Sequence, residues 1–351
     1  MKYQKLFFFA LIVLGLNACN EKKAKDNTAG NVKYYRSIQF SETPWDVEKG
    51  LHELSAVEAK TINNYKFTYN ELKQLASVEY NRNNVLLDYS SINAAKVTYT
   101  YEGEKQIKRF FNEKNEPVKN GGATVFEYTL NASGLRTGMR YLDEKNAPIE
   151  NRNKIHKYQW TKLEDGMIKE LRYNLAGVSV VMNEFCPFYE LRFSYDKDGY
   201  VTRMANYNAD TLYNCTAENC GDIGVSYFKF ENNASGDMLD FSVHNTAGQL
   251  SNLYWGWAKR VNVVDQNGYV IESSQFDQDN EFLSGKNVPI TQSVYDEHGA
   301  VVKRISLDKD KKVVNNPANG VAIVVYKYDE QGRRVETIQY DKDNVVVVQK
   351  K

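Results

Sequence analysis

The sequence predicts an all-β protein: about nine hairpin units forming a curled or spiral antiparallel sheet or solenoid, with β-propeller-like closure as the alternative. Three observations predict it. A unit of 31 to 37 residues recurs nine times between about Tyr65 and Lys351, and a fixed period of that length marks stacked supersecondary units. Every unit carries turn residues at set positions. The segments between the turns alternate apolar and polar residues with period two, the pattern of a half-buried strand.

The strand before the first turn is clearest in Tyr65-Lys-Phe67-Thr-Tyr69, and again in Val97, Tyr99 and Tyr101, in Phe126, Tyr128 and Leu130, and in Leu191, Phe193 and Tyr195. The 25 tyrosines and 16 phenylalanines are thereby assigned chiefly to aromatic pairs between neighbouring strands. The first turn is anchored by Gly134, Gly166, Gly199, Gly236, Gly268, Gly299 and Gly332, at spacings of 32, 33, 37, 32, 31 and 33. Its fullest form is Tyr195-Asp-Lys-Asp-Gly199. There an Asp can accept from its own backbone two residues on, and the glycine takes the positive φ of a type I turn plus bulge. The copies at Asn70 and Glu102 lack a glycine in that place.

A second landmark is an apolar or aromatic residue followed by Asp or Asn, from Tyr80-Asn81 and Phe111-Asn112 to Leu307-Asp308 and Tyr340-Asp341. It predicts a second turn with a short strand after it. Residues 65–351 are thus the repeat domain. Residues 34–64 form an N-terminal cap in which Thr43-Pro44-Trp45-Asp46 has the form of a helix start, so a short helix is expected within about residues 44–60.

Residues 1–18 read as a targeting segment: Lys2 and Lys5 precede an apolar run from Leu6 to Leu16, too short to span a bilayer comfortably. The polar, aperiodic stretch after it makes residues 19–33 a flexible tether. No later apolar run approaches membrane-spanning length, so the body is expected to be soluble and outside the cytoplasm. The 45 acidic and 45 basic residues are interspersed. No basic stripe marks a nucleic-acid partner.

An exported location permits one disulfide. Cys186 and Cys220 lie about one repeat apart and can face each other on adjacent units, while Cys215 and Cys220 can clip a local loop; both pairings stay open. Four turns, beginning at Asp196, Asp277, Asp308 and Asp341, imitate calcium loops but lack the closing glutamate. Turn chemistry is their expected role, and no metal or cofactor is predicted. The four histidines have no metal-ligand spacing, and no nucleophile elbow or phosphate loop occurs. Catalysis is therefore not expected. The one departure from the ladder is Tyr254-Trp255-Gly256-Trp257, either an aromatic platform for a sugar ring or protein anchor, or core filling in a wider unit.

Leu16-Asn17-Ala18-Cys19 resembles the lipobox of bacterial lipoproteins, which implies lipid attachment at Cys19 and anchoring in the cell envelope, on the outer membrane by analogy with sorting rules. Asp210-Thr211-Leu212 is similar to the O-glycosylation site of exported Bacteroidota proteins, with Thr211 as acceptor. The stretch Leu307–Gly332 resembles the YD-type repeats of RHS-related proteins and the hairpin repeats of Bacteroidota lipoproteins. That resemblance implies a spiral sheet of hairpins. Because the repeats reach Lys351, no toxin domain is expected after them. The function expected is a lipid-anchored, non-catalytic module that binds a glycan or an envelope protein. A structural scaffold is the first alternative and a carbohydrate-active enzyme the second.

Overall fold

The computed structural model describes residues 31–182, 188–213, 225–253, 255–285 and 287–347. The chain starts with β1 (Val32–Ile38) and β2 (Gly50–Leu54), and nine hairpins follow. The first pairs β3 (Asn64–Tyr69) with β4 (Leu75–Arg82), and the two-residue β5 (Val85–Leu86) folds back on β4. Next come β6 (Lys96–Glu102) with β7 (Lys105–Phe111), β8 (Val125–Leu130) with β9 (Arg136–Leu142), and β10 (Lys157–Lys162) with β11 (Ile168–Tyr173). The fifth joins β12 (Glu190–Tyr195) to β13 (Val201–Asn208), extended by the two-residue β14 (Thr211–Leu212). The last four are β15 (Tyr227–Asn232) with β16 (Met238–His244), β17 (Lys259–Val264) with β18 (Val270–Phe276), β19 (Ile290–Tyr295) with β20 (Val301–Leu307), and β21 (Ile323–Tyr328) with β22 (Arg334–Tyr340). The nine repeats are nine hairpins.

All pairings are antiparallel and run in one path, β2–β1–β3–β4–β6 and onward through consecutive hairpins to β22. Among the described residues no pairing joins β2 to β22, so the sheet is open. Propeller-like closure is not adopted: one continuous ladder leaves no separate blades.

The turns form as their chemistry requires. Asp196 Oδ1 accepts from the backbone N–H of Asp198 and of Tyr200, both at 2.9 Å, and Gly199 takes φ +80°. The register then slips by one residue between Ser194 and Tyr195, a bulge that bends the hairpin. In the first unit, which lacks the glycine, Lys73 adopts φ +60° after Asn70. The second turns repeat the device: Asp341 Oδ1 accepts from Asp343 and Val345, with Asn344 at φ +62°. Most are followed by a single bridging residue, as in Tyr340–Val346, rather than the expected short strand. Only β5 and β14 reach two residues.

The cap is made of strands. Thr43 Oγ1 does accept the Trp45 N–H as a helix cap would, but only one turn forms, closed by Asp46 N–H to Thr43 O at 3.2 Å. The sole helical piece described in residues 34–64 is a 3-10 turn at Glu58–Lys60, held by a reciprocal Ser55–Glu58 box. The tether is also shorter than expected, since β1 begins at Val32. No longer helix starts at Thr43 because residues 38–49 thread the inside of the curl, where Phe40, Thr43, Trp45 and Glu48 meet four different hairpins.

The main core is an aromatic and aliphatic cluster running from Tyr65 to Leu253, including Phe67, Tyr128, Trp160, Phe193 and Phe228, beside a small cluster of Ile107, Val125 and Leu142. Hairpins beyond it add few buried residues. They close a spiral seam instead. Arg36 Nη1 donates to Tyr269 Oη (3.3 Å), Asn63 N–H to His298 O (2.8 Å), and Arg82 Nη2 to Glu330 O (3.1 Å). The tips of late hairpins thus abut the first strands, as a spiral demands. Among the described residues no helix is long and apolar enough to cross a membrane.

Candidate binding site

Residues 38–49 have little secondary structure and are fixed by side chains. Arg136 of β9, only 4 % exposed, donates through Nη1 to the carbonyls of Pro44 (2.9 Å), Trp45 (3.3 Å) and Asp46. Its Nε and Nη2 hold Gln106 Oε1 at 3.0 and 2.7 Å, and its guanidinium lies 3.8 Å from the Tyr128 ring centroid. Trp45 Nε1 donates back to Arg136 O at 3.1 Å, and its ring packs 5.3 Å from that of Tyr195. Farther round, Phe40 meets Phe230 at 5.3 Å, Gln39 Nε2 donates to Gly199 O at 2.9 Å, and Lys49 Nζ to Asp198 O at 2.7 Å.

A buried ion pair sets one anchor. Arg172 and Glu170 have no exposed side-chain surface and meet at 2.9 Å. Trp160 Nε1 (2.8 Å) and the Thr43 hydroxyl both donate to Glu170 Oε2. Removing one partner of such a pair strands a charge away from water, a loss of about 3–5 kcal/mol. At the other anchor, Glu48 accepts from Lys108 Nζ and Tyr99 Oη. Burial pushes the Glu48 carboxyl up, but Lys108, Arg136 and those two hydrogen bonds outweigh it and hold it below the usual range.

The threaded segment divides the lumen in two. The larger cavity, about 790 Å³, opens at the first-turn rim and is lined by Gln39, Trp45, Tyr69, Tyr101, Leu135 and Tyr195 among others. The second, about 520 Å³, lies on the opposite side against Phe40, Glu42, Ser91, Asn120, Phe126 and Tyr128. Asp46, Val47 and Glu48 line both. Val47 is 51 % exposed, its side chain free in the lumen.

Two carboxyls in this wall have raised proton affinity. Burial, then the neighbouring Asp46 charge, pushes Glu42 up to about 7. Burial likewise pushes Asp46 up to about 6 against hydrogen bonds from Ser41 and Tyr195 and the charge of Arg136. Tyr195 Oη donates to Asp46 Oδ1 at 2.9 Å, while the buried Oδ2 has no partner. Hydrolysis by two carboxyls needs one held protonated and one kept ionised and free to attack. Glu42 and Asp46 are shifted the same way, and the ionised Glu48 is committed through both oxygens.

The tryptophan pair sits elsewhere. Trp257 is 7 % exposed and packs edge-on against Phe241 at 5.5 Å. Trp255 is half-buried, stacks on Trp257 at 5.0 Å, and donates from Nε1 to Trp257 O at 2.7 Å. Both belong to a turn around Gly256 (φ +93°), not to one face of a strand. The core-filling alternative is therefore the arrangement found for Trp257, and the Trp255 ring lies on it. Tyr254, Cys19, Cys186, Cys215 and Cys220 lie outside the described residues. Thr211 is exposed at the start of β14, just after a tight turn whose Asp210 carboxylate accepts from Arg192 Nη2. The aspartates of the calcium-like turns spend one oxygen on the backbone, as Asp277 and Asp308 do toward residues two and four ahead. The lumen was missed because its wall comes from scattered hairpins and an aperiodic segment; only the inward-facing Gln106, Lys108, Arg136 and Glu170, polar residues in apolar slots, could have signalled it.

No protein-family model and no curated protein matches the chain. Solved structures with some likeness include TcdB2-TccC3-TEV, at 11% identity and TM-score 0.30, covering 89% of this chain and 15% of that one. A Photorhabdus luminescens Tc holotoxin pore carrying TccC3-D651A gives 10% identity and TM-score 0.31 over 80% of this chain and 13% of that one. A porin-like protein from Bacteroides uniformis gives 10% identity and TM-score 0.22, covering 88% and 96% of the two chains. The chain spans only about a seventh of the length of the first two of these chains. At TM-scores this low the likenesses carry no argument about fold or function.

Proposed function

We propose that the protein is a lipid-anchored, exported binding module that captures a glycan in the lumen of its curl and performs no chemistry on it. The observation that carries this reading is the 790 Å³ cavity, whose wall includes the aromatic residues Trp45, Tyr69, Tyr101 and Tyr195 and the amides Gln39 and Gln74. Aromatic faces stack on sugar rings and amides bond hydroxyls, and a concave site of this size holds several sugar units' worth of surface. The site thus moves from the tryptophan pair to the threaded segment. Anchoring rests on the Leu16–Cys19 motif.

One experiment tests both halves. The full chain is expressed in a Gram-negative host, fractionated, and probed on an array of neutral oligosaccharides. Wild type partitions with membranes and binds a subset of glycans, and Cys19→Ser moves to the soluble fraction with binding intact. Val47→Trp, which puts a bulky ring into the lumen from an exposed position, abolishes binding with an unchanged circular dichroism spectrum. Full binding by Val47→Trp refutes the lumenal site, and membrane retention of Cys19→Ser refutes the anchor.

A further inference from the structure

A third cavity lies at the spiral seam, where the last two hairpins come against the first. It measures about 180 Å³, below the ~300 Å³ at which drug-sized pockets begin, which restricts its occupant to about one sugar ring. Two guanidiniums reach it. Arg334 lies 3.5 Å from the Tyr89 ring centroid and 5.2 Å from that of Tyr326, and Arg304 lies 5.9 Å from the same Tyr326 ring. Among the described residues neither has a carboxylate within ion-pair distance, whereas Arg140, Arg172 and Arg192 each do. Asp88 is the one carboxyl on the wall, and burial raises its proton affinity.

Two further observations narrow the ligand. Asn63 is 4 % exposed and lines the cavity, and its Oδ1 has no hydrogen-bond partner. A buried unsatisfied acceptor costs about 1–3 kcal/mol and calls for a donor such as a hydroxyl. Tyr89 is held at φ +59° with 68 % of its surface exposed. A bulky residue in the left-handed region is strained by about 1–2 kcal/mol, and such strain gathers at binding sites. It sets the Tyr89 ring against Arg334 at the mouth.

We infer that this seam cavity binds a sugar acid: the carboxylate on Arg304 and Arg334, a ring hydroxyl donating to Asn63 Oδ1, and the ring against the tyrosines. Planar guanidiniums match a carboxylate in two parallel hydrogen bonds. The inference shares the glycan class with the function proposed above but uses a separate site, so the two stand or fall independently.

The test is isothermal titration of the full chain with glucuronate, glucose and acetate. Glucuronate binds, and glucose and acetate each bind at least about tenfold more weakly, since one lacks the charge and the other the hydroxyls. Arg304→Gln and Arg334→Gln each weaken glucuronate about tenfold or more, at an unchanged thermal midpoint, and Val47→Trp leaves it untouched. Equal affinity for glucose and glucuronate overturns the inference. So does a double arginine variant that folds and still binds glucuronate like wild type. Acetate binding as tightly as glucuronate overturns the assignment of Asn63 to a hydroxyl. Glucuronate binding that depends on the arginines, together with a blank array for the lumen, refutes the lumenal proposal and leaves the seam site standing.

Discussion

At the residue scale, the aspartates have two fates set by their surroundings. On the rim they are turn residues: the Oδ1 of Asp196 and of Asp308 takes two backbone N–H groups. That role was legible, because an Asp three residues before a positive-φ residue is local chemistry. Asp46 and Glu42 differ, since their raised proton affinity comes from distant hairpins closing around them. Both groups bind protons more tightly folded than unfolded. The stability they contribute is therefore complete below about pH 4, near the unfolded carboxyl values, and is lost as the pH rises through about 6 for Asp46 and 7 for Glu42. Asp46→Asn should match wild type near pH 4 and exceed it by about 1–3 kcal/mol at pH 8. Urea midpoints at the two pH values measure this, and a variant less stable than wild type at pH 8 contradicts it.

At the element scale, each hairpin is specified by its own residues, and the glycines separate local from assembled structure. Gly166 and Gly268 hold the same turn position, at φ +87° and +85°. A Cβ at Gly166 meets nothing within 4 Å, whereas one at Gly268 comes within 2.2 Å of His52 Nε2 across the seam. Gly166→Ala should cost about 1 kcal/mol for backbone strain alone, and Gly268→Ala a further ~1–3 kcal/mol for the collision. Denaturant unfolding of the two variants checks the difference; equal losses would mean that the seam contributes nothing at this turn. The hairpins were legible because their period and turn residues are local signals. The start at Thr43 gives a single turn and the helical piece falls later, at Glu58–Lys60, for a capped first turn says nothing about what the next residues meet. Nor did the Trp255–Trp257 spacing imply a strand face, since Gly256 turns the chain between them.

At the scale of the whole molecule, the sheet needs the threaded segment. Hairpins β6–β7 through β10–β11 carry buried polar groups such as Lys108, Arg136, Glu170 and Arg172, and residues 43–48 occupy several of them. Without that segment these groups would surround an empty lumen. The repeats alone foretold a curl but not what it winds around, because residues 38–49 have no period and their partners lie up to about 190 positions away, as Phe40 and Phe230 do. Small-angle scattering tests the winding most directly. Strands spaced about 4.8 Å apart would make a flat meander of this length about 90 Å wide, with a radius of gyration of at least ~26 Å. A body wound on its own N-terminal segment should instead give a value near the ~20 Å of a compact chain of this length, or slightly above it. A value near 20–22 Å is the result expected, and one of 26 Å or more would contradict the curl.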